Sequence, residues 1–235
     1  MTLPLKADVR HGIRRWGMLG NGPSANNPAP YKAGLGDCVE AMFLHLCMVD
    51  ATTSASSWKK VLYRLGFKVP TPTWAIGLYG KFLSTQGETL AQDPGTVAPT
   101  FFQWLQDTGQ IAGWGALTLT ADRPATLANC HQAMIDYNGI GYTMELTPNS
   151  YTDFLGSDRW HISPNQFDQP NPGYQHAVAG VAYGPLLDGL VSWGRMKSAT
   201  REFMYLCLNG AYVFVTNEKA QTPAGQALLA RIKSL

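Results

Sequence analysis

The order of helical and strand-like patterns along the chain is the strongest constraint on its fold. Helical patterns cover five segments between residues 38 and 138, namely 38–51, 56–65, 73–84, 98–108 and 124–138. Strand-like runs cover 114–120, 140–146, 176–183, 189–193 and 211–215, and further helices are predicted over 198–207 and 223–235. Because helices dominate the first half and strands the second, we predict an α+β fold with a helical layer and an antiparallel sheet layer.

The N-terminal segment differs from the rest of the chain. Its basic cluster is opposed only by Asp8 and consists of Lys6, Arg10, Arg14 and Arg15. A loop rich in Gly, Pro and Asn follows, so the segment is either a solvated arm or an arm that docks on a partner. We therefore predict an arm and loop over 1–33 and a single domain over 34–235, with a helical part at about 34–139 and a sheet part at about 140–235.

The charge balance and hydropathy exclude several classes of function. The formal net charge is only +2, whereas a nucleic-acid-binding surface needs a concentrated basic face. No apolar run approaches the roughly 20 residues that cross a bilayer, and the first 21 residues lack the apolar core of a signal peptide. We expect no nucleic-acid or membrane partner and a cytoplasmic location, unless other machinery exports the chain. The sequence contains no Walker loop, GxGxxG, HExxH or zinc-type Cys/His spacing, so we predict no cofactor and no metal.

Cys38 is the candidate nucleophile. It follows Gly34, Gly36 and Asp37 at the point where a Gly-rich loop turns into an apolar helix, with Asp37 as the N-cap. Unpaired N–H groups in the first turn of a helix favour the thiolate, which is the reactive form of cysteine. The alternative is that Cys38 is a small buried apolar residue. The other cysteines are interpreted as free thiols: Cys47, Cys130 and Cys207.

A nucleophilic cysteine needs a base within hydrogen-bond reach. Of the five histidines, His176 is the best placed, because it stands at the mouth of an apolar strand that can hold it rigidly while its ring faces solvent. His161 follows Trp160 in a polar loop and is the second choice. His45 lies seven residues beyond Cys38 and is too far along the helix axis to act as the base.

Three segments in order carry a resemblance to a known family: GLGDCVEAMFLHL, HAVAGVAYG and LVSWG. With the helix-then-strand segment TLANCHQAMIDYNGIGYTMEL, they resemble the papain-like cysteine peptidases over about residues 34–216. In that family the nucleophilic Cys opens a central helix, the base His begins a strand reading His-Ala-Val, and an Asn before Ser-Trp-Gly orients the His. The resemblance implies a two-lobed fold, with a helical lobe and an antiparallel β-sheet lobe, in which Cys38 is the nucleophile and His176 the base.

The segment RRWGMLGN near the start, together with GDC, HAV and VSWG, is similar to small papain-like proteins encoded by tailed bacteriophages. Those proteins are usually taken for hydrolases or virion-associated proteins. The similarity implies that the chain is phage-encoded and resides in the host cytoplasm or in the virion.

Two positions depart from the family pattern. Val191 stands where the family has the orienting Asn, and strand alternation should turn the neighbouring Ser192 away from His176. Lys32 stands where the family has a Gln that donates to the oxyanion. A missing orienting residue lowers activity without abolishing it, because the Cys–His pair performs the chemistry.

An amide for the oxyanion must then come from elsewhere. Candidates in the N-terminal segment are Asn21, Asn26 and Asn27. We favour Asn21, because it follows the WGMLG segment, which can pack on the parent domain near Cys38; the arm can alternatively reach a neighbouring subunit. The backbone N–H of Cys38 supplies one donor in either case.

Two functions from different classes follow from these features. The first is a thiol hydrolase, a peptidase or amidase acting on a peptide or a cell-wall cross-bridge. The second is a structural component of a phage capsid or tail, with reduced chemistry and with other virion proteins as partners. The second is supported by Val191 and Lys32, which replace functional amides, and by the low charge, the aromatic residues and the Pro-rich loops, which suit static protein contacts.

Overall fold

The computed structural model describes residues 36–51, 74–152, 159–163, 168–192 and 195–234. The arm over 1–33 and the helix predicted over 56–65 lie outside the described residues. The other predicted elements can be compared with the structure directly.

The described residues form eight helices and seven strands. The helices are α1 (Cys38–Ala51), α2 (Trp74–Thr85), α3 (Ala98–Asp107), α4 (Arg123–Tyr137), α5 (Pro148–Thr152), α6 (Arg201–Cys207), α7 (Asn217–Ala220) and α8 (Pro223–Ile232). The strands are β1 (Ile111–Ala116), β2 (Ile140–Glu145), β3 (Arg159–Trp160), β4 (Gln175–Tyr183), β5 (Leu187–Ser192), β6 (Arg195–Thr200) and β7 (Leu208–Thr216).

All seven strands belong to one sheet, in the order β1-β7-β2-β4-β5-β6-β3. Neighbouring strands are antiparallel except for β3 and β6, which run parallel. Strand β1 comes from the helix-rich first half and pairs with β7, so the sheet joins both halves of the chain. The predicted mixture of helices and sheet is confirmed, whereas the prediction of a purely antiparallel sheet is wrong at the short edge strand β3.

Helices cover both faces of this sheet. In β4, Ala177 and Ala179 pack with α1, whereas Val178 points to the opposite face, as the alternation of a strand requires. The first face packs against α1, α2 and α3, and the second against α4, α6 and α8. The prediction of one helical layer is therefore wrong. Helices cover both faces because β4 is buried along almost its whole length, and each face of a buried strand needs an apolar cover.

Several element boundaries also differ from the prediction. The hydroxyl of Thr200 accepts from the Phe203 N–H at 3.2 Å and caps α6, so the first residues of the helix predicted over 198–207 belong to strand β6. The strand predicted over 114–120 is β1, which begins earlier and ends at Ala116. The segment between the strands predicted over 140–146 and 176–183 contains α5 and β3.

Candidate active site

The start of α1 is held by the loop that precedes α3. The Gly36 N–H donates to Asp93 Oδ1 at 2.8 Å, and the Tyr79 hydroxyl donates to the same oxygen at 3.1 Å. The Tyr79 oxygen accepts in turn from the Gly95 N–H at 2.8 Å. A Cβ on Gly36 would lie 2.6 Å from the Gly95 Cα, so only glycine lets the loop and the helix start approach this closely.

Cys38 opens α1 and is partly exposed, whereas the other cysteines are buried: Cys47, Cys130 and Cys207. Burial is the main cause that raises the pKa of the Cys38 thiol to about 12. The carboxyls of Glu40 and Asp37 raise this pKa as well, and a hydrogen bond from the backbone of Ala177 lowers it. The expectation that the helix start favours a thiolate is therefore wrong for this state, because desolvation of the charged form outweighs the helix dipole.

Two buried carboxyl groups flank the thiol in the sequence. The Asp37 side chain is 1% exposed and the Glu40 side chain 0%, and burial raises the pKa of Asp37 to about 7 and that of Glu40 to about 8. Glu40 Oε1 accepts from the Thr96 hydroxyl at 2.8 Å. Asp37 Oδ2 and Glu40 Oε2 have no hydrogen-bond partner among the described residues. Both carboxyls therefore favour their protonated, neutral forms up to about neutral pH.

The thiol of Cys38 lies against the beginning of strand β4. Its hydrogen bond comes from the backbone N–H of Ala177, the residue that follows His176. The N–H groups of a strand point along the sheet, between neighbouring strands, and not onto either face. The thiol is consequently next to the backbone of the strand that carries His176, at the end of the sheet where β4 begins.

His176 is buried, and its Nε2 lies 2.7 Å from the Ser192 hydroxyl oxygen. The Trp160 ring meets the imidazole edge to face, with ring centroids 6.5 Å apart. Burial lowers the pKa of His176 to about 3, so the imidazole is neutral at physiological pH. The expectation that its ring faces solvent is wrong, because Trp160 and the end of β5 cover it.

The structure also corrects the predicted orientation of Ser192. Ala179 is opposite Val191 in the β4–β5 pairing, so the neighbouring positions Val178 and Ser192 share the other face. His176 lies on that same face, two residues before Val178. Sequence reasoning missed this contact because it had no strand register from which to count.

The remaining predicted residues lie elsewhere. His161 is exposed after β3. His45 is buried in α1, burial lowers its pKa to about 4, and its ring nitrogens have no hydrogen-bond partner among the described residues. Several candidates lie outside the described residues: Asn21, Asn26, Asn27 and Lys32.

A second buried polar cluster lies at the other end of β4 and was not predicted from the sequence. His131 Nε2 lies 2.9 and 3.0 Å from the two carboxylate oxygens of Asp188. Arg201 reaches His131 Nδ1 at 3.4 Å and donates to the Gly184 carbonyl at 2.6 Å, while the Tyr183 ring stacks on the His131 ring at 4.4 Å. The chain separates His131 from Asp188 by 57 residues, so only the fold brings them together.

The described ranges contain no group of three His, Cys, Asp or Glu side chains arranged to hold a metal ion. Within those same ranges, no helix has the length and apolar character needed to cross a membrane.

Comparisons with known proteins give likenesses among solved structures. No family model matches the chain, and no curated protein matches it. A similar solved structure is that of a cysteine protease from Carica candamarcensis in complex with E-64, with a TM-score of 0.42 and 14% sequence identity. The match covers 92% of this chain and 100% of that chain. The solved structure is thus papain-like, and a likeness of this size does not place the chain in that family.

Proposed function

We propose that this chain is a papain-like thiol hydrolase that cleaves an amide bond, with Cys38 as nucleophile and His176 as base. One observation carries the proposal: the partly exposed Cys38 at the start of α1 accepts a hydrogen bond from the backbone of Ala177, the residue directly after His176. The start of α1 and the start of β4 are far apart in the sequence and meet here, which supports a nucleophile on the first and a base on the second.

The reaction follows from the neutral resting state of both groups. Because burial raises the pKa of Cys38 and lowers that of His176, the proton leaves the thiol as the sulfur attacks the substrate carbonyl. The imidazole carries this proton to the nitrogen of the departing amine, and a thioester remains on Cys38. Water then attacks the thioester with His176 again as base, which releases the acid and restores the thiol.

Oxyanion stabilisation needs at least one preorganised donor near the thiol. The N–H of Cys38 is in the first turn of α1, where backbone N–H groups have no intrahelical acceptor. We assign the second donor to Asn21 of the N-terminal arm. The arm over 1–33 would then dock on the domain over 34–235.

The finer features of the proposal come from the sequence resemblance. They are a two-lobed fold, a phage-encoded chain, a location in the host cytoplasm or the virion, and a peptide or cell-wall cross-bridge as substrate. The buried, uncharged surroundings of His176 and Cys38 fit a substrate whose reacting bond is enclosed during the reaction.

A second candidate function is a structural component of a phage capsid or tail in which the chemistry is reduced. The observation that favours it is electrostatic. Burial raises the pKa of the Cys38 thiol to about 12 and lowers that of His176 to about 3, so the described state opposes a thiolate–imidazolium pair. Val191, at the position of the family's Asn, packs in the core against α1 and supplies no hydrogen bond.

Alkylation by iodoacetamide, followed by intact mass measurement, separates the two functions. A hydrolase should react at Cys38 at least tenfold faster than at the buried Cys47, Cys130 and Cys207, and His176→Ala should slow the reaction. His161→Ala is the matched control, because the His161 side chain is exposed, whereas His176 is buried. Equal labelling of all four cysteines in the native protein would contradict the hydrolase.

A structural component should give a different rate profile. Its Cys38 should behave as an isolated thiol of raised pKa, with a rate that increases about tenfold per pH unit past pH 10 and does not depend on His176. In purified particles such a protein should be present in stoichiometric copies, and a Cys38→Ala particle should remain infectious. A scarce protein whose Cys38→Ala variant blocks maturation or entry would contradict the structural function.

A further inference from the structure

We propose that Ser192 is the positioning residue of the Cys38–His176 pair: its hydroxyl binds the imidazole and holds the ring in the orientation that serves the thiol. The proposal rests on the thiol hydrolase function given above. It assigns to the Ser192 hydroxyl the orienting role that papain-like peptidases give to an Asn at the position of Val191.

The contact itself is short and enclosed. The Ser192 hydroxyl oxygen lies 2.7 Å from His176 Nε2, and the two residues are 2% and 5% exposed. A hydrogen bond in such a low-dielectric setting meets little competition from water. The imidazole is therefore held at one nitrogen by a side chain of the neighbouring strand.

The strand register explains why residue 192, and not residue 191, has this role. Val191 is opposite Ala179 and packs with it in the core beneath α1. Ser192 is one position further along β5 and points to the face that His176 shares with Val178. An amide side chain at 191 would point away from the imidazole.

Trp160 completes the support of the ring. It is 1% exposed and meets the imidazole edge to face at an interplanar angle of 77°. The indole limits rotation of the His176 ring, and the Ser192 hydroxyl fixes which nitrogen points toward β5. In the proposed reaction, Nε2 stays bound to Ser192 and Nδ1 exchanges the proton with Cys38.

The chemistry of a hydroxyl suits both stages of the reaction. In the tautomer that can act as a base at Nδ1, the ring proton is on Nε2. The Ser192 oxygen therefore accepts from the Nε2–H both before and after His176 takes up the thiol proton. It adds no charge, in agreement with the lowered pKa that burial gives His176.

Nitrogen-15 NMR of the His176 imidazole tests the positioning directly, without relying on activity. We expect Ser192→Ala to shift the Nε2 resonance and to mix the two neutral tautomers, and Ser192→Thr to restore the wild-type spectrum. Val191→Thr is the matched control: it places a hydroxyl at the neighbouring position on the wrong face and should leave the His176 signals unchanged. A Ser192→Ala spectrum identical to wild type would overturn the proposal.

The rate of Cys38 alkylation supplies the second readout. Loss of one hydrogen bond should lower the rate about three- to tenfold in Ser192→Ala, and Ser192→Thr should recover most of it. The two proposals fail in different ways. If His176→Ala leaves the alkylation rate of Cys38 unchanged, the hydrolase function fails, while the NMR spectra still report whether Ser192 holds the ring.

Discussion

A buried histidine lies at each end of strand β4, and the two histidines have different kinds of partner. At the start, the ring of His176 contacts a neutral hydroxyl and an indole, and burial lowers its pKa to about 3. Beyond the far end, the ring of His131 contacts the Asp188 carboxylate, the Arg201 guanidinium and a stacked tyrosine. The side chains around His131 thus include ionic groups, whereas the described side chains around His176 are neutral.

The largest effect is expected at the charged end. Asp188→Ala should lower the free energy of unfolding by about 3–5 kcal/mol, because it leaves the buried His131 without the carboxylate that its Nε2 contacts. Ser192→Ala should cost only about 1 kcal/mol, the usual net value of one neutral hydrogen bond. Denaturant unfolding of both variants measures the difference.

Asp188→Asn is the control for this comparison, since it keeps an acceptor for His131 Nε2 and removes only the charge. The free energy of unfolding of Asp188→Asn should lie between that of the wild type and that of Asp188→Ala. If Asp188→Ala and Ser192→Ala lower the free energy of unfolding equally, the contacts at the two ends of β4 do not differ in strength, which would contradict the comparison.

The same comparison shows what the sequence could predict. The apolar run after Asp37 predicted α1, and the run after His176 predicted β4, because each pattern is local and long enough to specify its element. The pairing of Ala179 with Val191 is not local, so the sequence could not tell that Ser192 faces His176. The His131–Asp188 pair was missed for the same reason.

The burial of the Cys38 thiol could not be predicted from the sequence either. The Gly-Asp-Cys junction predicted the helix start correctly, but the desolvation that raises the pKa of Cys38 depends on how closely β4 and α1 pack. In contrast, the start of α6 within 198–207 is a local feature, because threonine is a preferred N-cap residue and Thr200 caps the helix.

The second largest effect is a pH dependence of stability that arises at the start of α1. Burial raises the pKa of Asp37 from 3.8 to about 7 and that of Glu40 from 4.5 to about 8, so the free energy of unfolding falls as pH rises through this range. Burial lowers the pKa of His45 from 6.5 to about 4 and that of His176 from 6.5 to about 3. Both groups therefore make the free energy of unfolding rise with pH, and this rise ends near pH 6.5. Of these four groups, only the two carboxyls change the free energy of unfolding above pH 6.5.

We therefore expect the free energy of unfolding to fall by about 2 kcal/mol between pH 6.5 and pH 8, at about 1.4 kcal/mol per pH unit for each group that releases its proton on unfolding. Denaturation curves at half-unit pH steps measure this slope. Glu40→Gln is the control, because it keeps an oxygen for the Thr96 hydroxyl and does not titrate; most of the slope above pH 7 should disappear. An unchanged slope in that variant would assign the effect to other groups.

The smallest effect concerns the hydroxyl that binds Glu40. Thr96 Oγ1 donates to Glu40 Oε1 at 2.8 Å, and this hydrogen bond lowers the pKa of Glu40 against the effect of burial. Thr96→Val removes the donor at nearly constant shape, so it should cost about 1 kcal/mol at pH 6, where Glu40 is neutral, and about twice as much at pH 9, where it is charged. Thr96→Ser keeps the hydroxyl and should show neither the loss nor its increase with pH. If Thr96→Val lowers the free energy of unfolding equally at pH 6 and pH 9, Glu40 does not change its charge between these pH values. The carboxyls beside Cys38 would then not be the groups that make the start of α1 sensitive to pH.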